Sequence, residues 1–401
     1  MITNIEQIEN KLTDIYAKID RIAFENQTRI LNAFRELKIS NSCFYGTTGY
    51  GYDDKGRDTL NLLYAKIFGT ESAFVSPHLT CASHALSACL YGLLRPNDCM
   101  LSITGKPYDT LDDVIFGKEG EDIGSLKDFN ISYYECDIFK CSFDKVKELI
   151  LQKKPKLIFI QRSRGYNWST GLTATQIVEL CKKIKQITDA YIMIDNCYGE
   201  LVDSFEPSEY ADILAGSLIK NIGGGICGNG AYIVGTKKAV EQVCAHITSP
   251  ALLNEVGSFE RGYREFYQGL FIAPHTVANA LKGMLLVGEV MKAKGYEILP
   301  KSNELPNDII KSIKFDTAEK LVEFVQMVQK YSPIDSDAVP MPWDMPGYTD
   351  QIIMAAGTFV GGASIELSCD APIKSPYIAY IQGGLTYEHC KILANEFDNK
   401  F

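Results

Sequence analysis

The stretch ADILAGSLIKNIGGGICGNGAYIVG, residues 211–235, contains two apolar runs separated by a lysine and a cluster of glycines. The runs ILAGSL and AYIVGT are short and continuously apolar, which predicts strands buried on both faces of a sheet. The glycines at 223–228 match G-x-G-x-x-G, but that dinucleotide-binding fingerprint requires a helix after the glycines, and here a strand follows. The stretch therefore predicts two core strands joined by a loop that presents Lys220.

Similar apolar runs occur on both sides of this stretch. From FVSP (74–77) to AYIVGT (231–236) they alternate with helical segments of about ten to fifteen residues, which predicts crossover units on a mostly parallel sheet. We predict three parts: an N-terminal helical segment (1–43), a large α/β domain (44–270) and a smaller C-terminal α+β domain (271–401).

The composition limits the classes of partner. The 401-residue chain is 46% hydrophobic with a net charge of −10, which disfavours nucleic acid and anionic membrane surfaces. We expect no membrane-spanning segment, because no uninterrupted apolar run approaches the roughly 18–20 residues required. The polar N-terminus does not resemble a signal peptide. Twelve scattered cysteines and five unpaired histidines predict reduced thiols, no metal site and a cytoplasmic location.

Lys220 has a purely structural interpretation and a chemical one. A lysine at the end of a strand usually points to solvent, and glycines often form only a turn. A lysine can also act as a covalent nucleophile where its surroundings leave space for a carbonyl group. Pyridoxal phosphate carries such a carbonyl, which forms a Schiff base with a lysine, and its ring accepts electrons. That cofactor would require a carboxylate for its ring nitrogen, an anion site for its phosphate, and a side chain covering its ring.

Candidates for the ring of the cofactor follow two predicted strands. Asp195 ends the apolar run YIMID (191–195), at the edge where parallel sheets bind ligands. Alternatively, Asp195 is only a cap. Tyr108 follows the predicted strand CMLSIT (99–104), and it is the candidate to cover the ring. His84 is its rival, although a histidine on a helix is more often structural.

Candidates for the phosphate lie at the start of a predicted helix. The segment LTCASHAL (79–86) places Cys81, Ala82 and Ser83 where free N–H groups and the helix dipole favour an anion. Ser83 is also an ordinary N-cap residue. Ser217, three residues before Lys220, can add a hydroxyl group from the other side.

Seven blocks of this sequence resemble fold-type I pyridoxal-phosphate enzymes of the cystathionine/methionine lyase group. The similarity is greatest to the methionine γ-lyase-like family associated with aluminium resistance. The blocks are GTTGYGYDDKGRDTL, PYDTLDDVIFG, IQRSRGY, YIMIDNCYGE, SLIKNIGGGI, MPGYTDQIIMAAGTFVGGASIELSCDAP and PYIAYIQGGLTYEH. The resemblance implies a mostly parallel seven-stranded sheet flanked by helices. It also implies that Lys220 is the Schiff-base lysine, Asp195 the partner of the ring nitrogen and Ser217 a phosphate ligand, with Tyr108 stacking on the ring and Ala82 and Ser83 in the phosphate turn.

The sequence departs from the sulfur-amino-acid lyases at a shared site. In those enzymes a Tyr and an Arg before the first helix reach the phosphate of a neighbouring subunit. Tyr52 fits this position, but Asp54 stands where the arginine is expected, so Lys55 or Arg57 would supply the charge. The alternative is a solvated turn of mixed charge. The resemblance implies a homodimer or homotetramer with shared active sites.

A second departure concerns the substrate carboxylate. The related lyases bind it with a C-terminal arginine, whereas this chain has no arginine after Arg264. Lys374 is the candidate replacement, and Arg162 and Arg164 of QRSRGY are its rivals. Lysine binds a carboxylate as a point charge, without the bidentate geometry of arginine.

The expected activity is β- or γ-elimination from a sulfur amino acid, as in a cystathionine β-lyase or methionine γ-lyase. We expect Lys220, with its pKa lowered by burial and the cofactor, to remove the α-proton. Tyr52 or Tyr108 would protonate the leaving group. Two alternatives stay open: an aminotransferase of the same fold, and a protein that binds pyridoxal phosphate without catalysis.

Overall fold

The computed structural model of the chain describes residues 4–121, 123–345 and 350–401. The PGYT segment (346–349) of one quoted block lies outside these residues. The helices assigned in the described residues are α1 (Asn4–Glu36), α2 (Lys55–Phe68), α3 (Ala82–Leu93), α4 (Asp112–Phe116), α5 (Phe143–Lys153), α6 (Ala174–Lys185), α7 (Lys237–Ile247), α8 (Arg264–Ala293), α9 (Ala318–Lys330) and α10 (Tyr387–Lys400).

The strands form two separate sheets. They are β1 (Ser72–Ser76), β2 (Cys99–Ser102), β3 (Ser132–Glu135), β4 (Leu157–Gln161), β5 (Tyr191–Asp195), β6 (Ile213–Ser217), β7 (Ala231–Gly235), β8 (Glu297–Leu299), β9 (Ile310–Phe315), β10 (Ile352–Ala355), β11 (Ser368–Pro372) and β12 (Tyr377–Gln382).

The first sheet has seven strands in the order β1-β7-β6-β5-β4-β2-β3. Strands β3, β2, β4, β5 and β6 pair in parallel, and β7 runs antiparallel to both of its neighbours. Strands β6 and β7 are buried throughout, because helices cover both faces. The predicted mostly parallel, seven-stranded sheet is confirmed.

The second sheet is antiparallel, in the order β10-β11-β12-β9-β8. Strand β10 ends at Ala355, and a loop follows it. Both carboxylate oxygens of Glu366 hold that loop by accepting hydrogen bonds from the N–H groups of Phe359 and Val360, each at 2.9 Å. Strand β9 was not predicted, since Lys311 and Lys314 interrupt its apolar pattern.

Helix α8 packs against α10 and against β8, β9 and β12 of the second sheet. By length and composition it could cross a membrane, but 72% of its most apolar window is buried inside the protein. It also packs against α1, whose Ile5, Ile8 and Leu12 are buried as their helical spacing predicts. Its burial identifies α8 as a core helix. The predicted domain boundary at residue 270 falls within it.

Candidate functional site

The ends of two neighbouring strands bring the key polar residues together. Strands β5 and β6 run parallel with Asp195 opposite Ala215, so Ser217 lies two residues beyond that pair at the same edge. Lys220 follows, at the start of a short 3-10 helix (Asn221–Gly223). A Cβ atom on Gly223 would lie 1.7 Å from the carbonyl oxygen of Leu218. Glycine is therefore required for the tight turn that carries Lys220.

Lys220 lies in a cavity of about 250 Å³ between the two sheets. One wall comes from the first turn of α3, Tyr108 and Ser217. The other comes from the C-terminal part of the chain. The polar and aromatic residues lining the cavity are Cys81, Ser83, Tyr108, Tyr166, Tyr198, Ser217, Lys220, Thr358, Ser364, Ser368, Asp370 and Gln382.

The ammonium group of Lys220 is surrounded by groups that stabilise its charge. Its Nζ lies 4.0 Å from the centroid of the Tyr198 ring, in a cation–π contact. Burial lowers the pKa of Lys220, but Cys197, Tyr198, Asp195 and Glu200 outweigh this effect and raise the pKa above its ordinary value. The prediction of a lowered pKa therefore does not hold for the protein's own groups, because the surrounding acidic groups favour the cation.

Asp195 is buried, with 6% of its surface exposed. Its Oδ1 accepts a hydrogen bond from the backbone N–H of Cys197 at 3.1 Å, which fixes the carboxylate at the end of β5. Asp195 does not line the cavity but lies close enough to raise the pKa of Lys220. The structure thus brings the predicted lysine and carboxylate together.

The first turn of α3 faces the same cavity. Cys81, Ala82 and Ser83 line it, and the Cys81 side chain does not cap the helix. The N–H groups of this turn and the hydroxyl of Ser217 form a polar end suited to an anion. His84 does not line the cavity. Its Nδ1 instead accepts a hydrogen bond from the N–H of Thr80 at 3.3 Å, so the structure assigns His84 a local role.

Tyr108 lines the Lys220 cavity. Its backbone N–H donates to Oε1 of Gln161 at 2.8 Å. Its ring meets that of Tyr166 edge-on, with 6.0 Å between centroids. Tyr108 is therefore held at the rim of the cavity and can cover a planar ligand.

Tyr52 and Arg57 lie away from the cavity of their own chain. Tyr52 is 56% exposed and its ring lies 5.8 Å from that of Tyr50. Arg57 is buried, donating to the carbonyl oxygen of Gly51 at 2.8 Å and pairing with Asp58. Asp54 caps α2 by accepting from the N–H of Arg57, which explains an acidic residue at this position.

The three candidates for carboxylate binding have different environments. Arg162 is fully buried and bonds to Asn196, Asp203 and Glu206, so it is a structural residue. These partners hold Nη1 and Nη2 of Arg162, and only its Nε has no hydrogen-bond partner among the described residues.

Arg164 and Lys374 line one smaller cavity of about 170 Å³, which shares Tyr108 and Tyr166 with the Lys220 cavity. The Arg164 side chain is 1% exposed and lies 3.6 Å from Asp308, but its Nε and Nη1 have no hydrogen-bond partner among the described residues. Lys374 is half exposed and pairs with Asp350 at 2.8 Å. Arg164 therefore has buried donors available for an anion, and Lys374 does not.

The comparisons with known proteins agree with this geometry. The family model described as methionine gamma-lyase matches residues 1–400. The chain belongs to this family. It is 44% identical over 390 residues to the uncharacterized protein YnbB of Bacillus subtilis, covering 96% of this chain and 92% of that protein.

Solved structures of similar proteins agree with this family assignment. A structure from Clostridium novyi, described as a carbon-sulfur lyase involved in aluminum resistance, has a TM-score of 0.93 and 45% identity over 97% of this chain and 93% of that chain. The pyridoxal-5'-phosphate dependent protein YhfS from Escherichia coli has 12% identity and a TM-score of 0.63, covering 96% of this chain and 97% of that chain, and it shares the fold alone. The predicted fold-type I architecture is confirmed.

Two cavity residues of this methionine gamma-lyase family member were not predicted from the sequence. Tyr198 contacts Lys220 and has a left-handed backbone with φ of 68°, which is uncommon for a side chain of this size. Its position in YIMIDNCYGE, three residues after Asp195, was a usable signal. Asp370 enters the cavity from β11, and no local pattern in the sequence indicates that placement.

The described residues contain no group of three or more His, Cys, Asp or Glu side chains placed to hold a metal ion. Eight of the twelve cysteines are buried, in agreement with the predicted buried thiols.

Glu200, behind Lys220, provides a test of the electrostatics of this site. Burial raises the pKa of Glu200 to about 8. Its Oε1 accepts from the hydroxyl of Tyr232 at 2.9 Å, and its Oε2 has no partner within the described residues. The folded protein keeps a proton that the unfolded chain releases above about pH 4.5, so this group stabilises the fold at low pH and less as the pH approaches 8.

We expect the free energy of unfolding of Glu200→Gln to fall less between pH 5 and pH 8 than that of the wild type. The difference should be on the order of 2 kcal/mol, measured by urea unfolding at each pH. Glu119→Gln, at an exposed position, serves as the control and should follow the wild type. Parallel curves for the wild type and Glu200→Gln would contradict the raised pKa.

Proposed function

We propose that the protein is a pyridoxal-phosphate-dependent carbon–sulfur lyase that acts by β- or γ-elimination on an amino acid. The observation that carries this proposal is the buried Lys220, in a cavity bounded by the first turn of α3 and adjoined by Asp195. Membership of the methionine gamma-lyase family and the name of the Clostridium novyi structure support it.

The residues present fit this cofactor. Lys220 would hold its aldehyde, and Asp195 would hold a proton on the ring nitrogen. Ser83, Ser217 and the N–H groups at the start of α3 would bind its phosphate, while Tyr108 would cover its ring. The uncapped first turn of α3 supports this, because its N–H groups have no side-chain partner in Cys81. When bound, the cofactor supplies an electron sink for charge that develops at the substrate α-carbon.

The protein's own groups then move the protons. Lys220, once its amine is free and neutral, removes the proton from the substrate α-carbon. The carboxylate of Asp195, at the end of β5, would favour a positive ring nitrogen. Tyr108, at the rim of the cavity, donates a proton to the departing sulfur. Tyr52 is exposed, and its participation requires a second copy of the chain, in a homodimer or homotetramer that works in the cytoplasm.

Arg164 is the residue that we propose binds the substrate carboxylate. It is buried with two unpartnered donors, and such groups gain most from an anionic ligand. We expect Arg164→Gln to raise KM by roughly 10–100-fold with a smaller change in kcat, because a hydrogen bond to a charged group contributes about 1.5–3 kcal/mol.

Lys374→Gln is the matched control for this prediction. Lys374 is half exposed and ion-paired, so its loss should change KM by less than about threefold. Circular dichroism would verify that both variants are folded. An unchanged KM in Arg164→Gln, or an equal rise in both variants, would remove Arg164 from this role.

Two measurements test the proposed function. The purified protein should be yellow from bound cofactor, and it should release a keto acid and ammonia from sulfur amino acids. An aminotransferase would instead transfer the amino group to added pyruvate and form alanine. A yellow protein that does neither would be a cofactor-binding protein without catalysis, and a colourless protein that takes up no added cofactor would refute the proposal.

A further inference from the structure

The C-terminal sheet contributes a carboxylate to the Lys220 cavity. Residues 368 and 370 of β11 lie on the face that meets the large sheet, next to Gln382 of β12. Among the described residues lining this cavity, Asp370 is the single acidic side chain and Lys220 the single basic one. In the related lyases an arginine from the C-terminal part of the chain brings a positive charge to the site. In this protein the C-terminal sheet brings the negatively charged type of side chain, Asp370, instead.

Asp370 is held in place but keeps acceptor capacity. Its Oδ2 accepts a hydrogen bond from Nε2 of Gln382 at 3.3 Å, and Tyr166 provides a second hydrogen bond. A carboxylate has about four acceptor sites, so two neutral donors leave room for a ligand. Burial raises the pKa of Asp370 to about 6, while the charge of Lys220 opposes this effect.

Asp370 forms no ion pair with another side chain of the described residues, although the charge of Lys220 acts on it from a greater distance. No Lys, Arg or His nitrogen lies within 4 Å of it in the described parts of the chain. When Lys220 is neutral, as proton abstraction requires, an ionised Asp370 has no cationic side chain beside it among the described residues that line the cavity. Burying such a charge is costly unless a ligand cation pairs with it.

We propose that Asp370 binds a second, distal ammonium group of the substrate, so that the enzyme prefers sulfur amino acids with an amine beyond the sulfur atom. This inference rests on the proposed function. In that function the α-amino group of the substrate is taken up at the position of Lys220, so it is not the group that Asp370 would bind. Asp370 consequently faces the remainder of the substrate side chain. A distal carboxylate at this position would meet a like charge and be disfavoured.

The test compares three substrates of the holoenzyme: S-(2-aminoethyl)-L-cysteine, its neutral isostere S-propyl-L-cysteine, and S-carboxymethyl-L-cysteine. We expect kcat/KM to be roughly tenfold or more higher for the aminoethyl compound than for the propyl compound, and lowest for the carboxymethyl compound. Asp370→Asn should bring kcat/KM for the first two compounds within about threefold of each other. Asp113→Asn, which removes an exposed charge elsewhere, should keep the wild-type preference.

A binding measurement separates this inference from the proposed function. L-Lysine and L-norleucine carry no sulfur leaving group, so calorimetry with the holoenzyme measures recognition without turnover. We expect lysine to bind several-fold more tightly, and Asp370→Asn to remove that difference. If no cysteine derivative is cleaved but lysine is still preferred, the proposed lyase function fails and the role of Asp370 stands. Equal binding of lysine and norleucine, or an equal loss for all substrates in Asp370→Asn, would overturn the inference.

Discussion

Lys220→Ala is expected to abolish both turnover and the yellow colour of the purified protein. The substitution removes the amine that would bind the cofactor aldehyde and the base that would remove the α-proton. General acid–base catalysis alone contributes about 10²–10⁴-fold, so the rate should fall by at least about 10³-fold when covalent attachment is lost as well. The absorbance spectrum after dialysis and a keto-acid assay measure the two effects.

Lys238→Ala is the control for this experiment. Lys238 is exposed on α7, so its removal should change neither colour nor rate. Circular dichroism of Lys220→Ala should match the wild type, because alanine fits the cavity and the glycines of the turn are unchanged. If Lys220→Ala stays yellow through dialysis and keeps full activity, Lys220 is not the reactive lysine.

Asp195→Ala is expected to lower kcat by roughly 10²–10³-fold while the protein keeps part of its cofactor. In the proposed function the buried carboxylate would stabilise a positive ring nitrogen, and a preorganised charge is among the strongest catalytic contributions. Its loss also removes one of the groups that raise the pKa of Lys220. The absorbance spectrum and the pH dependence of kcat should therefore both shift.

Asp195→Asn separates the charge from the hydrogen bond. Asparagine retains an oxygen that can accept from the N–H of Cys197, so the end of β5 stays in place. We expect its kcat to be nearly as low as that of Asp195→Ala. Wild-type kcat in Asp195→Asn would show that the charge has no catalytic role. Wild-type stability with a low kcat would support a catalytic role for the charge.

Much of the fold could be predicted from local patterns. The runs KLIFIQ, YIMID, ILAGSL and AYIVGT became β4, β5, β6 and β7 within one residue at each end, because strands buried on both faces need continuous apolar residues. Helix α6 begins at its predicted position, where Thr173 and Gln176 form a capping box. Strand β9 was missed because Lys311 interrupts its apolar pattern. The lysine can be buried because it donates to the carbonyl oxygen of Pro300, a partner outside the strand that the pattern does not show.

The sequence by itself determined the loop that carries Lys220, the carboxylate at the end of β5 and the first turn of α3 that lines the cavity. Each depends on a short pattern, and parallel strands must end at a common edge. Only the tertiary structure distinguished Arg164 from Arg162, which lie two residues apart in QRSRGY yet have different partners. It also decided that Asp370 faces Lys220. The physical reason is that packing between two sheets depends on contacts far apart in the chain, which no local spacing encodes.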